Sequence, residues 1–305
     1  MVYKKGIVVR STGSWYTVLT KDGEIAECKI KGRFRIQGLR TTNPVAVGDE
    51  VEIEVSPSGD AVIIDIHDRK NYIIRKATKL SKATHIIASN LDQAIMIVSL
   101  MKPRTSTGFI DRFLTTAEAY HIPAAIVFSK FDLYDEKTKE QLEYYIEVYE
   151  STGYHCLITS VPGKMNLDKF KDLLAKKVSL LAGHSGVGKS ALINAVDPSL
   201  DLKEGLISEY HDKGKHTTTF AEMFQLSFGG SIIDTPGIKE FGLVEFEKEE
   251  LGQRFPEMRK LMHDCRFNNC LHVDEPGCAV LKALQQDEIA EFRYINYLNM
   301  LENLM

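Results

Sequence analysis

The chain has 305 residues, enough for two or three domains, and its 44% hydrophobic and 26% charged residues are typical of a globular protein. These values exclude a disordered tail and a fibrous protein, and the net charge of −4 excludes a uniformly basic nucleic-acid-binding body, so any nucleic-acid surface must be local. No apolar run approaches the roughly 20 residues that span a bilayer, and the start of the chain lacks the apolar core of a signal peptide. We therefore expect a cytoplasmic protein, and we expect a monomer.

Residues 4–68 show short apolar-polar alternation interrupted by turn residues. Five segments of high β-propensity are separated there by turn sequences that include Asp22-Gly23 and Gly48-Asp49. Short alternating strands joined by such turns predict a small β-barrel of the oligonucleotide-binding (OB) or SH3-like type.

Basic residues occupy every odd position of the segment 29–36, namely Lys29, Lys31, Arg33 and Arg35. In a strand these side chains lie on one face. Such a stripe can contact the phosphate backbone of RNA, or it can be a solvated face, and the pattern alone leaves both interpretations open. A second basic segment, residues 69–82, is predicted to connect the barrel to the next domain.

The following part of the chain, to about residue 245, alternates apolar strands with helical patterns, which predicts an α/β layered domain. Three helices are predicted near residues 109–121, 137–152 and 167–177. Beyond residue 246 the sequence is helical and charged, contains a cluster of Cys and His, and ends in a predicted helix over residues 288–300.

The segment GHSGVGKS, residues 183–190, follows the apolar strand VSLLA and precedes a helical pattern, as a phosphate-binding loop does. Its glycines let backbone N–H groups turn toward phosphates, Lys189 supplies a compact positive charge, and Ser190 offers a hydroxyl to magnesium. We therefore predict nucleotide binding by the loop and the start of its helix: Gly183, His184, Ser185, Gly186, Val187, Gly188, Lys189, Ser190 and Ala191.

Two later segments are expected to complete the phosphate site. DTPG, residues 234–237, ends an apolar strand, which places Asp234 to hold magnesium and the Gly237 amide to sense a γ-phosphate. Between this segment and the phosphate loop, KGKHTTT at residues 213–219 offers three hydroxyls within reach of magnesium and the γ-phosphate, among them Thr218.

The choice of base is predicted from SKFD, residues 129–132, at the end of the strand AAIVF. Asp132 can accept hydrogen bonds from both N1–H and the N2 amino group of guanine, whereas adenine offers neither donor. The stem of Lys130 can lie over the base, and Ser129 begins the segment. Ser160 ends a further strand, where a loop that backs the base belongs.

The spacing of Cys265, Cys270, His272 and Cys278 indicates a tetrahedral zinc site. Because the protein supplies all four ligands, the metal has no open position for water, and we expect a structural role. His263, just outside the pattern, is predicted to be a surface or supporting residue. The two remaining cysteines, Cys28 and Cys156, are predicted to be small core residues.

The order of these segments is a circular permutation, because the base-recognition segments precede the phosphate loop. With a barrel before it and a Cys/His cluster after it, the chain resembles the ribosome small-subunit-dependent GTPase A (RsgA) family over essentially its whole length. The permuted order, the KHTTT segment and the metal spacing carry the resemblance. One departure is Ser129, where the family usually has Asn, and its shorter side chain predicts a looser hold on the loop and the purine.

The resemblance implies an α/β fold in which a circularly permuted P-loop GTPase domain, residues 71–245, lies between two further domains. An OB-fold RNA-binding barrel, residues 1–70, would precede it, and a helical zinc-binding domain, residues 246–305, would follow it. It further implies a bacterial factor that binds the small ribosomal subunit and its rRNA during late assembly, hydrolyses GTP there to GDP and phosphate, and leaves.

The catalytic residues are predicted to be Lys189, Thr218 and His216. Many GTPases carry a glutamine after DxxG that orients the attacking water, and here Ile238 takes that place. We therefore expect slow hydrolysis until a partner positions a polar group, with His216 as the best internal candidate and a surface histidine as the other interpretation. His184 is a weaker candidate.

The segment after DTPG runs into the C-terminal domain within about ten residues. The connectivity therefore suggests that exchange of GTP for GDP changes the C-terminal domain directly, through this segment. The alternative function is a P-loop kinase or ATPase that acts on a small molecule. A vestigial nucleotide site is a third interpretation, which the intact Lys189, Ser190 and Asp234 oppose.

Overall fold

The computed structural model of the protein describes residues 2–30, 44–76, 84–202, 221–234 and 247–304. The N-terminal part is the expected barrel of five strands: β1 (Val2–Ser11), β2 (Tyr16–Thr20), β3 (Ile25–Ile30), β4 (Glu50–Val55) and β5 (Ala61–Ile66). Its strand order β1-β2-β3-β5-β4 closes through pairing of β1 with β4, and β3 runs parallel to β5. This is the five-stranded arrangement of the OB-fold.

Alternation of side chains fills the barrel. In β2, Tyr16 and Val18 are buried while the residues between them are partly exposed, and Val8, Val51 and Ile53 join them in the barrel core. Cys28 lies in this core, as predicted. The described part of the basic stripe contains only Lys29, because Lys31, Arg33 and Arg35 lie outside the described residues.

The segment that follows the barrel is more structured than a simple connection. Strand β6 (Tyr72–Lys76) pairs with β7 (Thr84–Ser89) in a separate two-stranded sheet, a pairing that the sequence analysis did not predict. The run of Tyr72, Ile73 and Ile74 explains it, because aromatic and β-branched residues favour strands, and Ile73 is buried.

The central domain is a six-stranded sheet with helices on both faces. Its strands are β8 (Gln93–Val98), β9 (Ala124–Phe128), β10 (His155–Ile158), β11 (Val178–Ala182), β12 (Glu222–Gln225) and β13 (Ser231–Asp234). Its helices are α1 (Thr107–Ala119), α2 (Glu136–Ser151), α3 (Leu167–Leu174) and α4 (Lys189–Val196). The order is β10-β9-β8-β11-β13-β12, all neighbours being parallel except β12, which is antiparallel to β13.

Strand β8 shows why this sheet is fully covered. All six of its residues are buried. Met96 and Val98 face the core that α1 shares, whereas Ile95 and Ile97 face the core that α3 and α4 share. Cys156 is buried in the first of these cores, as predicted. Because ligands bind at the carboxyl ends of parallel strands in such sheets, the loops after β8, β9, β10, β11 and β13 are where a site belongs.

The barrel and the central domain share one continuous sheet. Strand β1 pairs antiparallel with β12, with Arg10 opposite Glu222, so that eleven strands are joined. The buried Asp49 fixes the junction, since its carboxylate accepts hydrogen bonds from Arg69 and from the Ser89 hydroxyl. Arg69, counted in the second basic segment, is therefore paired and largely buried rather than an open cationic residue.

The C-terminal domain contains four short helices: α5 (Lys248–Leu251), α6 (Pro256–Arg259), α7 (Ala279–Gln285) and α8 (Glu291–Glu302). They enclose their own core, which includes Leu251, Phe255, Met258 and Tyr297. Helix α8 also packs on α1 of the central domain. Across the described parts of the chain, no helix combines the length and apolar character needed to span a bilayer.

Candidate functional site

The phosphate loop lies between the end of β11 and the start of α4. Gly183 has φ +148°, and a Cβ there would lie 2.3 Å from the carbonyl oxygen of Ile97, so only glycine fits beside β8. Gly188 has φ +100° at the N-cap of α4. Both glycines have a positive φ, which residues with a Cβ rarely adopt, so the loop needs glycine at these two positions.

Lys189 is held inside this loop. Its side chain is almost entirely buried, with 4% exposure, and its Nζ donates to the carbonyl oxygens of Gly183 at 2.7 Å and His184 at 2.9 Å. Burial lowers the pKa of the ammonium to about 8, against the opposing effect of Asp234. An anion bound in the loop would therefore favour the charged form of Lys189.

The proposed magnesium ligands lie at the same edge of the sheet. Asp234 is the last residue of β13 and is opposite Leu181 of the parallel neighbour β11, directly before the phosphate loop. Ser190 is buried in the first turn of α4. The fold thus brings together residues that are separated by 44 positions in the sequence.

Ser129 joins the base-recognition segment to the phosphate loop. Its hydroxyl lies 2.9 Å from the carbonyl oxygen of Val98 and 2.6 Å from that of Val187, and it is the donor to these acceptors. Although the sequence predicts a looser hold by this shorter side chain, Ser129 contacts the phosphate loop directly. Lys130 makes a second connection, since its Nζ donates to the carbonyl oxygens of Lys102 and Gly186 at 2.9 and 2.5 Å.

Asp132 is oriented by Ser160. The Ser160 hydroxyl donates to Oδ1 of Asp132 at 2.6 Å, and the backbone N–H of Gly163 donates to the same hydroxyl at 3.0 Å. Asp132 itself is exposed, so its carboxylate is open to a ligand. A carboxylate that is held at one oxygen in this way is prepared to accept two parallel N–H groups.

His184 points toward α1. Its ring stacks on Phe109, with centroids 4.0 Å apart and an interplanar angle of 24°. Phe109 is a contact of the phosphate loop that the sequence analysis missed, because stacking between residues 75 positions apart leaves no local signal. Pro103 is another, since it lies 3.6 Å from where a Cβ on Gly186 would be.

The described residues do not include every predicted site residue. His216, Thr218, Gly237 and Ile238 lie outside them.

The metal cluster is assembled as the spacing predicts. One ligand atom from each of Cys265, Cys270, His272 and Cys278 lies within 4.8 Å of the other three. The Nδ1 of His272 is 3.3 Å from Sγ of Cys278 and 3.7 Å from Sγ of Cys265, and these two sulfurs are 3.9 Å apart. A tetrahedron with Zn–S bonds of about 2.3 Å has edges of about 3.8 Å, so the four residues fit zinc.

Groups around the cluster support thiolate ligands. The backbone N–H groups of Ala279 and Leu281 donate to Cys265 and Cys278, each at 3.4 Å. Glu275 accepts backbone N–H groups on both sides of His272 and fixes its loop. Such surrounding hydrogen bonds hold metal ligands in place. His263 is exposed and contacts Asp264, which agrees with its interpretation as a surface residue.

Comparison with known proteins agrees with this architecture. The RsgA GTPase family model matches residues 66–244, and the RsgA N-terminal domain model matches residues 5–63. The chain is 53% identical over 299 residues to small ribosomal subunit biogenesis GTPase RsgA 2 of Bacteroides thetaiotaomicron, covering 98% of this chain and 96% of that protein. It is 52% identical over 301 residues to small ribosomal subunit biogenesis GTPase RsgA of Christiangramia forsetii, with the same coverage.

Two solved structures of related proteins match the chain over almost its whole length. The crystal structure of YjeQ from Thermotoga maritima is 37% identical, with a TM-score of 0.80, and the match covers 99% of both chains. The structure of YloQ, a circularly permuted GTPase, is 28% identical, with a TM-score of 0.75, over 99% of this chain and 95% of that one. The permuted order of segments is therefore confirmed, and the chain is a GTP hydrolase that belongs to the RsgA GTPase family.

Proposed function

We propose that this protein binds the small ribosomal subunit, acts in its late assembly, and hydrolyses GTP to GDP and phosphate with stimulation by the subunit. The observation that carries the proposal is the permuted site itself, in which SKFD and the phosphate loop are joined through Ser129 and Lys130. The names of the relatives, which are small ribosomal subunit biogenesis GTPases, supply the partner. A kinase or ATPase acting on a small molecule has no comparable support.

Guanine recognition is assigned to Asp132, with Ser160 as a positioning residue. The carboxylate accepts N1–H and the N2 amino group, while the Ser160 hydroxyl fixes its orientation at Oδ1. Lys130 contributes its aliphatic stem to the base, because its Nζ is already held by two carbonyl oxygens. Ser129 supports the loop beneath the nucleotide.

Phosphate binding is assigned to the loop from Gly183 to Ala191, with Lys189 providing the charge. Its ammonium is held in place before the nucleotide arrives, so little reorganisation is needed on binding. Ser190 and Asp234 would hold magnesium, and the Gly237 amide would contact the γ-phosphate. Thr218, a predicted catalytic residue, would lie within reach of both magnesium and the γ-phosphate. Magnesium, when bound with GTP, supplies positive charge that neutralises the phosphates.

Water positioning is assigned to His216, which acts when the subunit is bound. Ile238 cannot donate or accept a hydrogen bond through its side chain, so the isolated protein lacks the usual glutamine at this place. An imidazole can orient water or accept its proton near neutral pH. Slow turnover in isolation and faster turnover on the subunit follow from this assignment.

Zinc is assigned to Cys265, Cys270, His272 and Cys278 as one structural ion per chain. The donor set is closed, so the ion orders the loop between α6 and α7 and leaves no site for a reacting water. The protein is then divided into a barrel of residues 1–70, a GTPase domain of residues 71–245 and a zinc domain of residues 246–305. A monomer in the cytoplasm is the form in which we expect it to act.

Contact with rRNA is assigned to the barrel through Lys29, Lys31, Arg33 and Arg35. Cationic residues that neutralise phosphates release counterions, which makes binding depend on salt.

Small-subunit binding, measured by co-sedimentation at several salt concentrations, should weaken when Lys31, Arg33 and Arg35 are changed to Ala, and its salt dependence should flatten. A matched variant replaces three exposed lysines of the GTPase domain, Lys137→Ala, Lys164→Ala and Lys169→Ala, and should leave binding unchanged. If the barrel variant binds the small subunit as well as the lysine control variant does, the RNA-binding surface lies elsewhere.

A further inference from the structure

The turn between β1 and β2 presents an aromatic ring to solvent. Trp15 is the single tryptophan of the chain and is 45% exposed, whereas the next residue, Tyr16, is fully buried in the barrel core. The backbone N–H and the hydroxyl of Thr12 both donate to the carbonyl oxygen of Trp15, at 2.9 and 3.2 Å. Gly13, with φ +83°, completes the turn. The backbone is thus fixed, and the indole is held outside the core.

This exposure calls for a reason beyond folding. A tryptophan side chain carries the largest apolar surface of any residue, and it stabilises a fold when it is buried. Here Tyr16 and Val18 already fill the barrel beside it. The indole is therefore available as a flat binding surface, which is the form in which aromatic residues serve single-stranded nucleic acids.

A positive charge lies directly on this surface. The Nζ of Lys29, on the neighbouring strand β3, is 4.4 Å from the centroid of the Trp15 ring. The long flexible stem of lysine lets the ammonium move from the ring to an adjoining phosphate. In the sequence Lys29 begins the stripe that continues with Lys31, Arg33 and Arg35.

We propose that Trp15 is a stacking platform for an unpaired nucleobase of RNA, with Lys29 contacting the phosphate beside that base. The proposal deepens the rRNA contact assigned above and rests on it. Ring and cation together match a base and its phosphate, as they do where proteins bind single-stranded RNA. An acidic peptide would use the cation without the ring, and a duplex hides the faces of its bases.

The fluorescence of Trp15 tests this directly, because no other tryptophan contributes to the emission. The full-length protein is titrated with a short single-stranded RNA, with duplex RNA of the same length, and with inorganic polyphosphate of matched charge. We expect saturable quenching by the single strand and little change with the other two. Equal quenching by polyphosphate, or binding of labelled single-stranded RNA without quenching, would overturn the proposal.

Three variants separate stacking by an aromatic ring from general apolar contact. Trp15→Ala should weaken binding of the single-stranded RNA by about tenfold, whereas Trp15→Phe keeps a stacking ring and should retain most of the affinity. Ile25→Ala removes another exposed apolar side chain of the same barrel, 61% exposed, and should change nothing. Equal losses in Trp15→Ala and Trp15→Phe, or no loss in Trp15→Ala, would contradict stacking. Unchanged GTP binding and thermal unfolding show that each variant is folded.

Small ribosomal subunits separate this inference from the proposed function. If subunits stimulate GTP turnover but single-stranded RNA does not quench Trp15, the platform is wrong and the proposed function stands. If subunits do not stimulate the unmodified protein, the proposed function fails, and the RNA titration still decides the platform.

Discussion

At the scale of single residues, two hydroxyls hold the nucleotide site in shape. Ser160 orients the carboxylate of Asp132, and Ser129 ties the same segment to the phosphate loop at Val187. Both serines are buried, with 2% exposure each, so water does not reach the two hydroxyls without a local rearrangement. The site therefore depends on short side chains as much as on the charged residues that face the ligand.

Asp132→Asn should change the preferred base. The amide replaces one acceptor oxygen with a donor, so the side chain no longer matches both N–H groups of guanine, but it does match a carbonyl at the position of the amino group. Binding should shift from guanine toward xanthine nucleotides, as measured by competition with a fluorescent nucleotide. Unaltered preference for GTP would mean that Asp132 does not read the base.

Ser160→Ala should weaken GTP binding by about tenfold without changing the base preference, because it removes one hydrogen bond to a charged group and leaves the carboxylate in place. The matched control is Ser151→Ala on α2, whose hydroxyl donates only to the carbonyl oxygen of Val148. Titration calorimetry with a non-hydrolysable GTP analogue and with its ATP counterpart measures the affinity and the base preference of both variants. Equal affinities for Ser160→Ala and Ser151→Ala would show that Asp132 needs no such support.

At the scale of elements, a buried ionic cluster joins α1 to α8. Arg293 is 1% exposed and donates to Asp111 of α1 at 2.5 Å and to Glu257 of α6 at 2.7 Å. Asn296 and Tyr149 also donate to Asp111, at 2.6 and 2.9 Å. Burial raises the pKa of the Asp111 carboxyl, against the effect of Arg293. The C-terminal domain is thus fixed to the GTPase domain by charges that water does not reach.

Arg293→Met should lower the free energy of unfolding by about 3–5 kcal/mol, because it leaves a buried carboxylate without its cation. Adding Asp111→Asn to the same chain should recover part of the loss. Arg259→Met is the control, since Arg259 pairs with Glu118 across the same two domains but is half exposed, and its loss should stay below about 1 kcal/mol. Denaturant unfolding followed by circular dichroism makes the comparison, and similar losses for Arg293→Met and Arg259→Met would refute it.

Removal of zinc should unfold the C-terminal domain while GTP binding persists. The four ligands hold the loop before α7, and two of them, Cys270 and Cys278, lie in the core of this domain. We expect atomic emission to find one zinc ion per chain in the unmodified protein. A strong chelator, or Cys270→Ser, should remove this ion and should lower the midpoint temperature of one thermal unfolding transition. A C-terminal domain that stays folded after complete loss of metal would show that zinc has no structural role.

The sequence predicted most helices and strands, but it did not predict which distant elements contact one another. The barrel strands, the helices α1 to α4 and the strand before the phosphate loop follow from alternation and periodicity, which are local. The pairing of β1 with β12 and the stacking of His184 on Phe109 depend on contacts between distant residues. Single-turn helices such as α5 and α6 are too short to show a period.

At the scale of the whole molecule, both outer domains are attached to elements next to the nucleotide. The barrel continues the GTPase sheet through β12, which pairs with the strand that ends in Asp234. The C-terminal domain packs on α1, whose Phe109 stacks on His184 of the phosphate loop. Each outer domain is therefore in direct contact with the GTPase domain. Direct transmission through the segment after DTPG stays a prediction, because residues 235–246 lie outside the described part of the chain.

GTP turnover decides whether this protein is a GTPase that depends on the small subunit. It is measured with the purified protein alone and with small ribosomal subunits, large subunits or bulk RNA of equal mass, with ATP as the comparison. We predict slow GTP turnover in isolation, strong stimulation by the small subunit only, and loss of that stimulation in His216→Ala. ATP turnover at a similar rate, or GTP turnover that does not respond to the small subunit, would rule out a GTPase that the small subunit activates.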